Sequence, residues 1–138
     1  MEEETPRVTC LDTAVLIDAM RDDPRARAAV KAAAEDGVVT TEVNVYELYV
    51  GAHREGRPME RDIRGIERAL SEVEILPLIR PATMRAAALT SYLRSQGEEV
   101  GALDVVIAAI ALTHGVTRVL TRDAGDFGRI PGISVETY

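Results

Sequence analysis

The chain has 138 residues, 46% hydrophobic and 28% charged, and a formal net charge of −7, which is the size and composition of one globular domain. Its 16 basic residues include a single lysine, Lys31, and no glycine-rich loop precedes it, which excludes a P-loop and disfavours a Schiff-base lysine. One cysteine, Cys10, and two histidines exclude a Cys-x-x-Cys or three-His zinc site, so any metal would be held by carboxylates. The negative charge also disfavours a protein that coats nucleic acid non-specifically.

Short β-prone runs alternate with helical segments along the whole chain. Pro24 suits the first turn of the second helix, and the segment at 103–114 is apolar on nearly every side, which predicts a buried helix. Pro77 predicts that the third strand lies at an edge of its sheet. The predicted strands are 8–11, 38–40, 74–78, 118–121 and 133–136, and the predicted helices are 12–20, 25–36, 44–55, 59–72, 81–96 and 103–114, with a turn at 123–128.

Strands separated by helices indicate parallel βαβ units. They predict an α/β fold, a three-layer α/β/α sandwich around a central, mostly parallel sheet of about five short strands. We expect one domain over residues 1–138, with a disordered tail at 1–6. The acidic N-terminus does not resemble a signal peptide, and the longest apolar run, 105–112, is too short to span a bilayer. The expected compartment is therefore the cytoplasm, and no membrane partner is expected.

Four acidic residues are predicted to meet at one edge of this sheet, because ligands of open parallel sheets bind at the carboxyl ends of the strands. Asp12 directly follows the first strand, and Glu47 lies in the first turn of the helix after the second strand. Asp123 lies just past the fourth strand. Asp104 opens the buried helix that leads to the start of that strand, so it lies at the opposite, carboxyl edge. Asp126 is a fifth candidate.

Such a cluster has an energetic consequence. Two carboxylates about 4 Å apart repel each other by roughly 4 kcal/mol at an effective dielectric constant near 20. Either some of them become protonated or a cation lies among them. Oxygen ligands favour Mg²⁺ or Mn²⁺ over zinc, and a site of this kind suits the hydrolysis of phosphodiester bonds.

Each acid also has a structural explanation. Asp12 could cap the helix that follows it, and Glu47 could complete a capping box that begins at Asn44. Asp104 would stabilise a helix N-terminus, and the acids at 123–128 would suit a turn. The shared edge favours the functional interpretation.

The remaining charged residues are expected at the surface. Helix geometry places Asp18 away from the end where Asp12 lies, so we expect Asp18 to be exposed. Arg54, Arg57 and Arg122 lie near the predicted site, and Arg54 and Arg122 are candidates for substrate binding. For Arg54 and Arg57, which close one predicted helix, compensation of the helix dipole explains the charge equally well.

The sequence resembles the PIN-domain ribonucleases, and within them the VapC toxins of type II toxin–antitoxin systems. The resemblance covers nearly the whole chain, with Asn44 at the position of the family's Thr/Ser helix cap and Asp123 where many relatives have Asn. It is carried by four segments in the family's order: LDTAVLI at 11–17, VTTEVNVYEL at 39–48, GALDVVIAA at 101–109 and LTRDAGDF at 120–127.

The resemblance implies a Mg²⁺-dependent (or Mn²⁺-dependent) endoribonuclease that cuts structured RNA, such as tRNA or rRNA. Asp12, Glu47 and Asp104 would be the central catalytic metal ligands, with Asp123 as the fourth, either directly or through water. The supporting residues would be Thr13, Thr121 and Asp126. The resemblance also implies a homodimer and a small cognate VapB-like antitoxin that covers the acidic groove.

Other functions remain open at this point. Two other phosphotransfer classes are disfavoured. Haloacid-dehalogenase-type phosphatases need a second Asp at position 14, where this chain has Ala14, and response-regulator receivers need paired early acids and a late Lys, which this chain lacks. A PIN-class RNA-processing nuclease outside a toxin–antitoxin system is the first alternative. A non-catalytic PIN-like binding domain is the second, and it would leave the central acids unused.

Overall fold

A computed structural model describes residues 7–138, so the tail predicted at 1–6 lies outside the described residues. The strands are β1 (Thr9–Leu11), β2 (Val38–Thr41), β3 (His53–Arg54), β4 (Arg57–Pro58), β5 (Glu74–Leu76), β6 (Arg118–Leu120) and β7 (Ser134–Glu136). The helices are α1 (Thr13–Met20), α2 (Pro24–Ala34), α3 (Glu42–Gly51), α4 (Glu60–Leu70), α5 (Arg80–Ser95) and α6 (Ala102–Thr113), and a 3-10 turn at Phe127–Arg129 precedes β7.

Five of the strands form one sheet in the order β5-β2-β1-β6-β7, and each of its neighbouring pairs is parallel. The centre of the sheet is β1, where Cys10 pairs with Val39 on one side and Val119 on the other. The predicted parallel five-stranded sheet is confirmed. The position of β5 at an edge, just before Pro77, is also as predicted.

Helices cover both faces of the sheet and create two apolar cores. Successive residues of a strand point to opposite faces, and accordingly Cys10 and Leu11 belong to different cores. Helices α5 and α6 pack on the face of Cys10, while α1 to α4 pack on the face of Leu11. This is the predicted α/β/α sandwich. None of the helices in residues 7–138 has the length and apolarity that a bilayer crossing requires.

The chain between α3 and α4 differs from the prediction. The helix predicted to run to residue 55 ends at Gly51, and a two-stranded antiparallel hairpin, β3-β4, follows it. The two turn residues, Glu55 and Gly56, have φ angles of 51° and 75°. Positive φ at both central positions is the geometry of a tight hairpin turn, and the sequence pair Glu-Gly signals it less clearly than Asn-Gly does.

The start of α3 corrects a second prediction. Thr41 is the N-cap, and its hydroxyl accepts a hydrogen bond from the backbone N–H of Asn44 at 3.2 Å. The Asn44 side chain accepts in return from the Thr41 backbone N–H at 3.3 Å, so the capping box joins these two residues. Asn44 is therefore not the cap, and Glu47 does not belong to the capping box.

Candidate active site

Asp12 lies at the carboxyl end of the central strand, and its backbone N–H donates to the carbonyl of Leu120 at 3.0 Å. It occupies the N-cap position of α1 but its side chain makes no capping hydrogen bond. Instead, Oδ1 accepts from Asn44 Nδ2 at 3.2 Å and Oδ2 accepts from Thr121 Oγ1 at 2.8 Å. Capping therefore does not explain the carboxylate, which is oriented by Asn44 in the first turn of α3 and by Thr121 just after β6.

Glu47 is held by a chain of neutral hydrogen bonds that begins at Asn44. Asn44 Nδ2 donates to Thr13 Oγ1 at 3.0 Å, and Thr13 Oγ1 donates to Glu47 Oε1 at 2.7 Å. Asn44 is fully buried and serves both Asp12 and this chain. Thr13 was predicted as a supporting hydroxyl, but the role of Asn44 was missed, because its sequence position indicated only a helix cap.

Asp104 lies in the first turn of α6, and Asp126 lies beside it. Burial is the main reason that the pKa of Asp104 rises to about 7, and the negative charge of Asp12 adds to it. A hydrogen bond with the Asp126 carboxyl and the charges of Asp126 and Glu47 raise this pKa further. The charges of Asp12, Glu47 and Asp126 therefore all act on Asp104.

The other two central acids show the same tendency. Burial raises the pKa of Asp12 despite the hydrogen bonds from Thr121 and Asn44, which lower it. Burial also raises the pKa of Glu47, opposed by the hydrogen bond from Thr13 and supported by the charge of Asp12. The protein thus keeps partly buried carboxylates with neutral hydrogen-bond donors around them.

Asp123 and Asp126 are placed differently. Asp123 is exposed, and its Oδ1 accepts from the backbone N–H of Gly125 at 2.9 Å, which is the behaviour of a turn residue. Asp126 is partly buried, its Oδ2 lies 3.5 Å from the backbone nitrogen of Gly101, and its Oδ1 lies 3.5 Å from Arg129 Nη2. The structure thus brings Asp126, rather than the carboxylate of Asp123, into contact with Asp104.

The structure also places Arg122 and Asp18, and the prediction that Asp18 is exposed is wrong. Asp18 is 9% exposed, and Arg122 Nη1 donates to both of its oxygens, at 3.1 and 3.3 Å. The positive charge of Arg122 lowers the pKa of Asp12, so Arg122 lies near the acids. Arg54 is exposed, and its guanidinium contacts the carbonyl of Gly51 and lies 3.9 Å from Asp62.

The donor set fits a hard divalent cation, because Asp12, Glu47, Asp104 and Asp126 offer only oxygen and repel one another. Neutral donors orient Asp12 and Glu47 without cancelling their charge. In residues 7–138 no three His, Cys, Asp or Glu side chains already have the spacing of a metal site. The fit of these residues to a cation therefore rests on their oxygen donors and their charge.

Comparison with known proteins assigns the family. The PIN domain family model matches residues 9–133. The tRNA(fMet)-specific endonuclease VapC of Shigella flexneri is 29% identical over 96 residues, which cover 70% of this chain and 71% of that protein. Toxin FitB of Neisseria gonorrhoeae is 30% identical over 124 residues, which cover 85% of this chain and 88% of that protein.

Solved structures agree. The structure of VapBC2 from Rickettsia felis bound to a DNA fragment from its promoter matches with a TM-score of 0.83 at 21% identity. The match covers 95% of this chain and 98% of that chain, and it supports the fold. DNA-bound VapBC from Salmonella typhimurium matches with a TM-score of 0.78 at 27% identity, covering 94% and 96%. The chain therefore belongs to the PIN domain family and is similar within it to the VapC and FitB toxins.

Proposed function

We propose that this protein is a Mg²⁺-dependent endoribonuclease and the toxin of a VapBC-type toxin–antitoxin pair. The observation that carries the proposal is the mutual influence of Asp12, Glu47 and Asp104 at the carboxyl edge of the sheet, where neutral donors orient two of them. A group of carboxylates kept partly buried without an equal number of cations is costly unless a cation binds there. Relatives with the same fold include an endonuclease and a toxin.

Asp12, Glu47 and Asp104 would hold the ion, Mg²⁺ or Mn²⁺. Asp126 or Asp123 would be the fourth acid, and the partly buried Asp126 is better placed for it. A bound divalent ion would supply water activation and neutralisation of phosphate charge.

The chain's own residues would keep the acids in position for this reaction. Thr121 and Asn44 set the orientation of Asp12, and Thr13 sets that of Glu47. Hydrogen-bond partners of metal ligands often matter nearly as much as the ligands themselves.

The proposed substrate is a structured RNA, tRNA or rRNA, which agrees with the tRNA specificity in the name of the Shigella flexneri relative. Arg54 and Arg122 are the proposed substrate-binding residues. The proposed site of action is the cytoplasm, where these RNAs occur.

The first test is cleavage of an initiator tRNA transcript and of total RNA by the purified protein. We expect cleavage with Mg²⁺, loss with EDTA and recovery when Mg²⁺ is restored. Asp104→Asn should lower the rate roughly a thousandfold, because a bound metal contributes several kcal/mol to the stabilisation of the transition state. Rapid cleavage by a folded Asp104→Asn variant would show that this site does not perform the reaction.

The proposed partners are a second copy of the chain and a small antitoxin. Several solved relatives are VapBC complexes, and exposed apolar side chains, among them Tyr46 and Val50 on α3, are available for protein contacts. With a net charge of −7, the chain suits an antitoxin segment rich in Arg. Light scattering should show a dimer, and a neighbour-encoded antitoxin should suppress cleavage and dissociate more readily at high salt.

A further inference from the structure

The buried carboxylate of Asp18 lies outside the proposed metal-binding acids, and it has two hydrogen-bond partners. Asp18 accepts from Arg122 Nη1 at 3.1 and 3.3 Å, and its Oδ2 also accepts from the hydroxyl of Tyr138 at 2.5 Å. The three residues come from distant parts of the chain and form what we call the Arg122 clamp. None of the sequence motifs includes Asp18 or Tyr138 as a functional residue.

The Arg122 clamp lies at the same edge of the sheet as the acids. Arg122 comes between Thr121, whose hydroxyl donates to Asp12 at 2.8 Å, and Asp123. Tyr138 follows β7, which runs parallel to β6, so it reaches this edge too, and its ring packs against the core that contains Leu11. The clamp therefore ties the last turn of α1 to the ends of β6 and β7, and Arg122 directly follows Thr121, the residue that donates to Asp12.

The clamp fixes one end of the guanidinium and leaves the other available. The Arg122 side chain is 63% exposed, and in residues 7–138 its Nε and Nη2 make no hydrogen bond to protein. Arg27 is a useful contrast, since it is 62% exposed but pairs with Asp22, which is itself 76% exposed. A guanidinium anchored on a buried carboxylate loses less side-chain entropy when it binds a phosphate, and its planar fork suits that ligand.

We propose that Arg122 binds a phosphate of the RNA substrate beside the acids, and that Asp18 and Tyr138 are positioning residues that hold its guanidinium there. This inference rests on the proposed ribonuclease function. The Arg122 side chain of this pair is 63% exposed, so the pair adds only modestly to stability, and orientation of the guanidinium is a second role for the buried Asp18 and its two partners.

The test measures kcat and KM for cleavage of an initiator tRNA transcript at several salt concentrations. Arg122→Gln should raise KM about tenfold with kcat changed less than about twofold, because a charge-assisted hydrogen bond is lost. It should also reduce the slope of log(1/KM) against log[salt] by about one, as expected for one phosphate contact.

Two further variants test the positioning residues. Tyr138→Phe removes only a hydroxyl and keeps the packed ring, and Asp18→Asn removes the charge that anchors Arg122. Both should raise KM by roughly two- to fivefold without changing the salt slope, because Arg122 keeps its charge. Arg27→Gln is the matched control and should keep the wild-type KM and slope.

The outcomes separate the two proposals. If the wild type cleaves RNA and Arg122→Gln keeps the wild-type KM and salt slope, the inference about Arg122 is wrong while the proposed function stands. A lower melting temperature with unchanged KM in Asp18→Asn and Tyr138→Phe would show that these residues are only structural. If the wild type cleaves no RNA in Mg²⁺, the proposed function fails and this inference fails with it.

Discussion

Asp12 and Asp18 lie at the two ends of α1, and their carboxylates have different hydrogen-bond partners. Asp12 receives hydrogen bonds from an amide and a hydroxyl, both neutral, and burial raises its pKa. Asp18 receives a guanidinium and a phenol, so its charge has a partner within the protein. In residues 7–138, the negative charge of Asp12 is therefore not paired with a hydrogen-bonded cation, whereas the negative charge of Asp18 is paired with Arg122.

The difference shows, on one short helix, how a carboxylate with only neutral hydrogen-bond donors differs from one paired with an arginine. Neutral donors orient Asp12 and Glu47 but do not cancel their charge, so these carboxylates, together with Asp104, form the proposed cation site. A paired carboxylate offers no such site. The count of acids alone does not separate these cases, because both ends of α1 carry one.

The largest effect should come from removing a carboxylate charge at one end of α1 and comparing it with removal at the other end. Asp12→Asn should lower RNA cleavage roughly a thousandfold, because a proposed central metal ligand is lost. Asp18→Asn should lower cleavage less than about tenfold. It should also reduce the free energy of unfolding by about 1–2 kcal/mol, because two hydrogen bonds to a charged group are lost. The loss stays this small because the Arg122 side chain is exposed. Cleavage kinetics and urea unfolding of both variants check this, and equal activity losses would remove the distinction between the two carboxylates.

A smaller effect should come from the neutral donors. Thr13→Val removes the hydroxyl that orients Glu47 and should lower cleavage by about tenfold. Thr113→Val is the matched control, because the Thr113 hydroxyl is buried without a hydrogen-bond partner in the described part of the chain. Removing it should leave cleavage unchanged and stabilise the protein by about 1 kcal/mol. Equal rates for wild type and Thr13→Val would contradict the orienting role.

A further effect should appear in the pH dependence of stability without metal. The pKa of Asp104 rises from 3.8 to about 7 on folding, so between these pH values the folded state binds more protons than the unfolded state. Stability is therefore greatest at low pH in this range and falls as pH rises through about 7. Thermal unfolding in EDTA should show this fall, and the Asp104→Asn variant should show a flatter curve.

Metal should reverse this trend. Mg²⁺ at about ten times its Kd should raise the melting temperature at neutral pH by roughly 2–6 °C, because it binds only the folded state. Identical pH profiles for wild type and Asp104→Asn, together with no effect of Mg²⁺, would argue against charge repulsion at this site.

Local signals predicted most of the fold. Short β-prone runs located the strands of the five-stranded sheet, and the apolar run of α6 predicted a buried helix. The β3-β4 hairpin was missed because it follows α3 directly and its turn has only two residues, Glu55 and Gly56. The sequence therefore continues from the helix into the hairpin without a recognisable break. The capping box was assigned one turn late because Thr41 and Asn44 are both good caps, and only the geometry of β2 decides between them.

The sequence by itself determined the carboxylates that follow the strands, since a parallel βαβ order sends the ends of all its strands to one edge. It also excluded Cys-x-x-Cys and three-His zinc sites, because one cysteine and two histidines cannot form them. Only the tertiary structure decided which hydrogen-bond and ion-pair partners each carboxylate has. Whether Asp12 meets neutral donors, whether Asp18 meets Arg122 and Tyr138, and whether Asp104 contacts Asp126 depend on distances between segments far apart in the chain, and local patterns carry no such information.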